Sequence, residues 1–360
     1  MSSPLHVGWV AGKDTLDSLA PMLNPLAVGL MDELVELTLL CPRQADLGEL
    51  SGPPTEIVRY SPSFWPLRCV GTRAILAEPD ARKPDLLHAL DFSAAGLTRR
   101  LARRANLPYV VSSFSLADTR RLGRADARLG AVLAGSEKIE LGIIKHHVAA
   151  AAKVHRVPPA LHVAKRPRCF RDPTHSVAVV AACRLRRWKV LLALAGAFGE
   201  LKKRGYDCVF MIIGSGGQER RLRKLADQAG LQRDLTFADK QSGVQLGKII
   251  MAADIFVSPD PGPGIDLGGL MAMASGVPLL AGRDTEDFIT DGQTALVFDP
   301  TSGRDLTDKL SGLLDDRAAA RALAENALEH CREQHRPSAM VSTVAGLYRQ
   351  VVAEFKSHRR

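Results

Sequence analysis

Arg184 and Lys189 stand in the stretch ACRLRRWKV (182–190), directly after the apolar run VAVVA. A strand ending there puts Arg184 at its carboxyl end and Lys189 near the start of the next helix. Two fixed cations at such a junction can neutralise a diphosphate, including one that departs as a leaving group. Surface residues capping a turn account for the pair equally well. A second junction, FMIIGSGGQERRL (210–222), sets Gly214, Ser215, Gly216 and Gly217 between an apolar run and a helix. Glycines there allow close backbone approach, and free N–H groups can meet an anion. A plain tight turn has the same composition.

The third stretch is ADIFVSPDPGPGIDLGGLMAMASGVPLLAG (253–282). Its apolar run ends at Val257, a Pro/Gly-rich loop follows, and a helix of small residues closes on SGVP. The only charges in the loop are Asp260 and Asp266. Asp266 falls at the expected N-cap, where its carboxylate takes up amides of the first turn. An incoming phosphate would want those same amides and would be repelled by the carboxylate. His88, near the end of the run DLLHALD, can orient a hydroxyl or be a hydrogen-bonded strand-end residue beside Asp91. KHHV (145–148) reads as a solvated helix face, since adjacent positions on a helix do not face one metal. No metal site and no GxSxG nucleophile elbow are evident.

These residues need a scaffold that brings strand ends together. Short apolar strand, turn and amphipathic helix alternate along the chain: HVGWVAG (6–12), PLAVGLMDELV then ELTLLCP (25–42), TEIVRYSP (55–62), a helix, a proline stop and a strand in RAILAEPDARKPDLLHALD (73–91), AGLTRRLARRANLPYVVSS (95–113), and 129–154. That alternation marks a parallel sheet covered by helices. The proline-rich and charged stretch 156–175 reads as a linker, after which a second set of strand–helix units begins. The expected fold is α/β, with two Rossmann-like domains of parallel sheet facing a cleft and ligands bound beyond the strand ends. The expected domains are 1–165, 166–337 and a C-terminal helix, 338–360, crossing back to the first.

At 360 residues the chain can bury two cores. Its six cysteines form no CxxC pair, which suits a reducing cytoplasm better than a zinc or disulfide framework. No signal-peptide pattern and no apolar run near 18 residues occurs, so neither a leader nor a membrane span is expected. A net charge of +9 favours anionic partners. Only 5% of residues are aromatic, which argues against nucleic acid. The clusters TRRLARR (98–104) and ERRLRK (219–224) read as solvated helix faces, and the inner face of an anionic membrane is a further surface they would suit.

The ordered set of RLxxxK after a strand, IGSGG after a strand, ADIFVSP…MASGVPLLAG and DGQTALVFDP resembles the donor half of retaining GT-B glycosyltransferases of the family-4 type over about residues 176–350. KPDLLHALD and NLPYVVSS resemble the acceptor half more loosely. The resemblance implies sugar transfer from a nucleotide-diphosphate donor to a hydroxyl of a glycan, lipid or small-molecule acceptor, with retained configuration, no metal and no cofactor besides the donor. It implies that Arg184 and Lys189 contact the donor phosphates, that Gly214, Ser215 and Gly216 form the glycine turn, and that His88 lies near the cleft. Gly264, Ile265, Asp266, Leu267, Gly268 and Met271 then fall on the donor loop and helix, and Asp291–Gly292 on a structural turn.

The chain departs from that pattern at both donor-site glutamates, which are Pro263 and Met271 here. Neither side chain replaces a carboxylate as an acceptor. Asp260, Asp266 or Asp287 could reach sugar or ribose hydroxyls instead. Two functions therefore stand side by side: a glycosyltransferase, and a degenerate member that binds nucleotide or glycan without turnover. An epimerase on the same fold has no matching acid–histidine set.

Overall fold

The computed structural model describes residues 4–45, 47, 55–60, 83–117, 126–171, 175–260, 262, 264–282 and 286–358. The chain divides into two compact units, residues 1–160 with 337–360, and residues 161–336.

The first unit runs β1 (Leu5–Val10), α1 (Lys13–Asp32), β2 (Val35–Pro42), β3 (Thr55–Tyr60), β4 (Leu86–Ala89), α2 (Phe92–Ala105), β5 (Tyr109–Ser113), β6 (Leu129–Ala134), α3 (Glu137–His146) and β7 (Val154–Arg156), completed by the C-terminal helix Pro337–Ser357. Its strands pair in parallel in the order β3-β2-β1-β4-β5-β6-β7. The chain reverses its direction of growth between β1 and β4. The helix foreseen from Pro25 onwards begins twelve residues earlier, at Lys13, and carries Pro21 and Pro25 inside it. Each proline removes one ladder hydrogen bond. The apolar stripe Leu16, Leu23, Leu26 and Leu30 is buried against the unit and outweighs that loss. Helix α2 starts at Phe92 because the Asp91 carboxylate accepts the Ala94 N–H at 3.0 Å, and it ends on left-handed Asn106. The helix expected from residue 73 lies outside the described residues.

The second unit runs β8 (Val177–Ala182), α4 (Trp188–Lys203), β9 (Cys208–Ile213), α5 (Glu219–Gln228), β10 (Leu235–Ala238), α6 (Gly243–Met251), β11 (Ile255–Ser258), α7 (Leu267–Ser275), β12 (Leu279–Ala281), β13 (Leu296–Val297), α8 (Gly303–Asp315) and α9 (Arg317–Gln334). Strand order is β10-β9-β8-β11-β12-β13, again all parallel. The core on one face centres on Phe198 of α4 stacked on Phe210 of β9 at 4.3 Å. Residues at the start of this unit, inside the stretch expected to be a linker, are hydrogen-bonded in place: Ala164 N–H donates to Ala274 O at 2.8 Å and Arg168 N–H to Gly276 O at 2.9 Å. The order switches between β8 and β11, so the loops leaving those two strands diverge to opposite sides and open a crevice between them. No described helix is long and apolar enough to cross a membrane.

Candidate functional site

Strand β8 ends at Ala182 and α4 begins at Trp188. The segment between them is fixed by backbone. Cys183 N–H donates to Ile213 O (3.0 Å), Leu185 N–H to Ser215 O (3.1 Å), and Gln218 N–H to Leu185 O (3.0 Å). The glycines of the β9–α5 turn make this docking sterically feasible. A Cβ at Gly214 would overlap the carbonyl oxygen of Cys183, and one at Gly216 the carbonyl oxygen of Leu185. Gly214 also donates its N–H to Ala238 O at 3.0 Å, so that amide is engaged in the fold rather than offered to an anion. Gly214 and Gly216 thus clamp the loop that carries Arg184, while Ser215 is exposed beside it.

Arg184 stands on the clamped loop, and Arg187 and Lys189 fall at the N-cap and in the first turn of α4. Arg184 and Lys189 are both exposed, and Arg187 occupies the N-cap position without a side-chain cap. No acidic residue lies in the first turn of α4. A helix N-terminus carries partial positive charge and unpaired N–H groups, so cations there repel it unless an anion is present. Arg221 is not part of this group, because its guanidinium stacks 3.7 Å from the Trp188 ring centre.

The loop after β11 forms the opposite wall. The guanidinium of Arg184 lies against Gly262, about where a side chain would begin: a Cβ there would be 3.2 Å from its Cζ. Asp260 is buried, with its Oδ2 3.7 Å from Arg187 Nη1. Burial, and then the Asp260 carboxylate, push the Cys183 thiol up to about 12. Asp266 caps α7, accepting the Gly269 N–H at 2.8 Å. Gly264 and Ile265 lie partly buried in the loop, and Leu267 and Gly268 form the first turn of α7. Pro263 lies outside the described residues. Met271 does not join this group: it is buried in α7 with its sulfur over Gly247 of α6. The structure therefore brings Arg184 against Gly262 and Arg187 towards Asp260, while Lys189 lies exposed in the first turn of α4. It adds Arg187, which the run RLRRWK could not distinguish from its neighbours.

His88 belongs to the first unit. It is 1% exposed on β4, with Nδ1 2.5 Å from Tyr348 Oη and Nε2 2.8 Å from Ser112 Oγ. Trp9 Nε1 donates to the same Tyr348 oxygen at 3.0 Å. An indole N–H is a donor only, so the Tyr348 proton goes to Nδ1 and the Nε2–H goes to Ser112. Burial pushes the imidazole down to about 3 and the Tyr348 phenol up. This is a neutral polar relay in the first unit, in which both ring nitrogens of His88 are engaged within the fold. Asp91, the partner considered for it, instead binds Thr15 and Ser93 and caps α2. Asp291 likewise has a structural place, accepting the Val297 N–H at 2.8 Å.

A two-unit α/β fold with cations at the β8–α4 junction and a glycine-rich loop facing them is the layout of a GT-B protein. Residues 171–330, within the second unit, match the family described as Glycosyl transferases group 1. The chain is similar to an alpha-D-kanosaminyltransferase of Streptomyces kanamyceticus, 30% identical over 43% of this chain and 41% of that protein. It is also similar to a GDP-mannose-dependent alpha-(1-6)-phosphatidylinositol monomannoside mannosyltransferase of Mycobacterium tuberculosis, 30% identical over 51% of this chain and 49% of that protein. The chain thus matches less than half the length of these curated relatives. Sucrose-phosphate synthase from Thermosynechococcus elongatus shares the fold over 97% of this chain and 100% of its own, with a TM-score of 0.74 at 17% identity.

Proposed function

We propose that the protein is a glycosyltransferase that moves a sugar from a nucleoside-diphosphate donor to an acceptor hydroxyl. The observation that carries this is the start of α4, where Arg184, Arg187 and Lys189 gather with no acidic residue in the first turn. In the transfer the anomeric carbon–oxygen bond to the diphosphate breaks, and the acceptor oxygen bonds to that carbon and gives its proton to the departing diphosphate, from which it equilibrates with solvent. The nucleoside diphosphate departs with its new charge. Arg184 and Lys189 act on the departing oxygen, where preorganised cations are worth most. Arg187 is half-engaged by Asp260 and holds the loop. Retained configuration and independence of a metal or added cofactor belong to the same proposal and rest on the family resemblance. The names of the relatives make sugar acceptors and phosphatidylinositol mannosides the first acceptor classes to try.

Two observations favour a second reading, a binding protein on the same fold without turnover. Met271 is committed to packing on α6, and Asp266 occupies α7 amides. Release of nucleoside diphosphate from UDP-, GDP- and ADP-sugars, followed in a coupled assay with calorimetry beside it, separates the two. Turnover that falls about 100-fold in Arg184→Ala supports the transferase. Binding with no release in any donor–acceptor combination supports the second reading, and no binding at all overturns both.

A further inference from the structure

The relay that begins at Trp9 ends on Ser112 with one hydrogen bond still to give. Trp9 Nε1–H donates to Tyr348, the phenol donates to His88 Nδ1, and Nε2–H donates to Ser112 Oγ at 2.8 Å. A serine hydroxyl that accepts in this way keeps its own proton for an acceptor. Among the described residues that proton finds none, and Ser112 is only 4% exposed. Ser112 lines a pocket of the first unit, set between the carboxyl ends of β4, β5 and β6, α1 and the C-terminal helix. Apart from His88 and Ser112 its lining side chains are apolar, among them Leu26, Leu133 and Val344. Phe114 is the one lining residue that is not fully buried, and it marks the mouth. The free volume of about 20 Å³ takes one water-sized group. Met22 and Met340 form adaptable walls around it, since unbranched thioether chains re-pack readily.

We propose that this pocket binds a small apolar molecule through a single accepting oxygen, that of a ketone, ester or ether, with the Ser112 hydroxyl as the donor. A buried donor without an acceptor is costly, and an oxygen flanked by carbon satisfies the donor and the walls together. A charged ligand does not suit the site, because no charged side chain lines it to offset desolvation. The assignment does not rest on the sugar-transfer reading and gives the first unit a ligand of its own.

Methyl propyl ketone and pentane, which share a chain length and differ in the oxygen, are the probes. Labelled methionine methyl groups report binding by NMR: Met22 and Met340 shift, while the exposed Met31 and Met251 do not. In Ser112→Ala the ketone is expected to bind about fivefold more weakly, with pentane unchanged. Still signals at Met22 and Met340 with both probes, an unchanged ketone affinity, or an equal loss for pentane overturns the inference. Should Ser112→Ala fail to fold, the carbonyl carbon resonance of the ketone on the unaltered protein decides. A shift towards its position in alcohol supports the Ser112 hydrogen bond, and its position in alkane overturns it.

Discussion

The guanidinium of Arg184, rooted at the end of β8, rests against Gly262 in the loop after β11, with a Cβ there only 3.2 Å from its Cζ. Gly262 has a φ of +102°, which side-chain-bearing residues rarely adopt. A methyl group at this point would both strain the loop and push the cation aside. Gly262→Ala should lose about 1–3 kcal/mol of stability from the backbone alone. It should also weaken nucleoside diphosphate binding beyond that loss. Urea unfolding and calorimetry on the same preparation check the two effects separately.

Tyr348 is the hinge of the buried relay from Trp9 to Ser112. Tyr348→Phe keeps the ring and its volume but leaves the Trp9 N–H and the His88 Nδ1 facing a hydrocarbon edge. Each buried polar group left unpaired costs about 1–3 kcal/mol, so a total near 3 kcal/mol is expected in denaturant unfolding. A loss below 1 kcal/mol would mean that the two groups find other partners.

The same relay makes the protein acid-sensitive. His88 titrates at about 3 when folded, because burial disfavours its charge, and at about 6.5 in an unfolded chain. Below pH 6.5 the unfolded state therefore takes up a proton that the native state refuses. The stability this group contributes is intact above pH 6.5 and falls away as the pH drops towards 3, by at most about 1.4 kcal/mol per pH unit. His88→Gln should flatten the stability–pH curve between pH 6.5 and 4 relative to the unaltered chain. Parallel curves would show that His88 is not the group responsible.

The alternation of strands and helices was legible because parallel strands buried on both faces read as short continuous apolar runs, as VAVVA and DIFVS do. The glycine turn at 214–216 was legible as a turn. Its use was not, because which backbone a missing Cβ admits depends on the neighbouring strand. Pro21 and Pro25 hid the first half of α1, since local propensity opposes a helix that only burial stabilises. The relay to Tyr348 was out of reach for a different reason: 260 residues separate it from His88, and no local pattern encodes so distant a pairing. Among the four cations of RLRRWK, only the placement of Asp260 singles out Arg187.

Leu161 N–H donates to His335 O at 3.2 Å, so the second unit leaves and rejoins the chain at adjacent points, as an uninterrupted insert. The first unit, by contrast, joins residues 1–160 to residues 337–360, and the Trp9–Tyr348 hydrogen bond ties the two segments together. The second unit is thus drawn from one continuous stretch, whereas the first has its buried relay only once a segment from beyond the insert has docked.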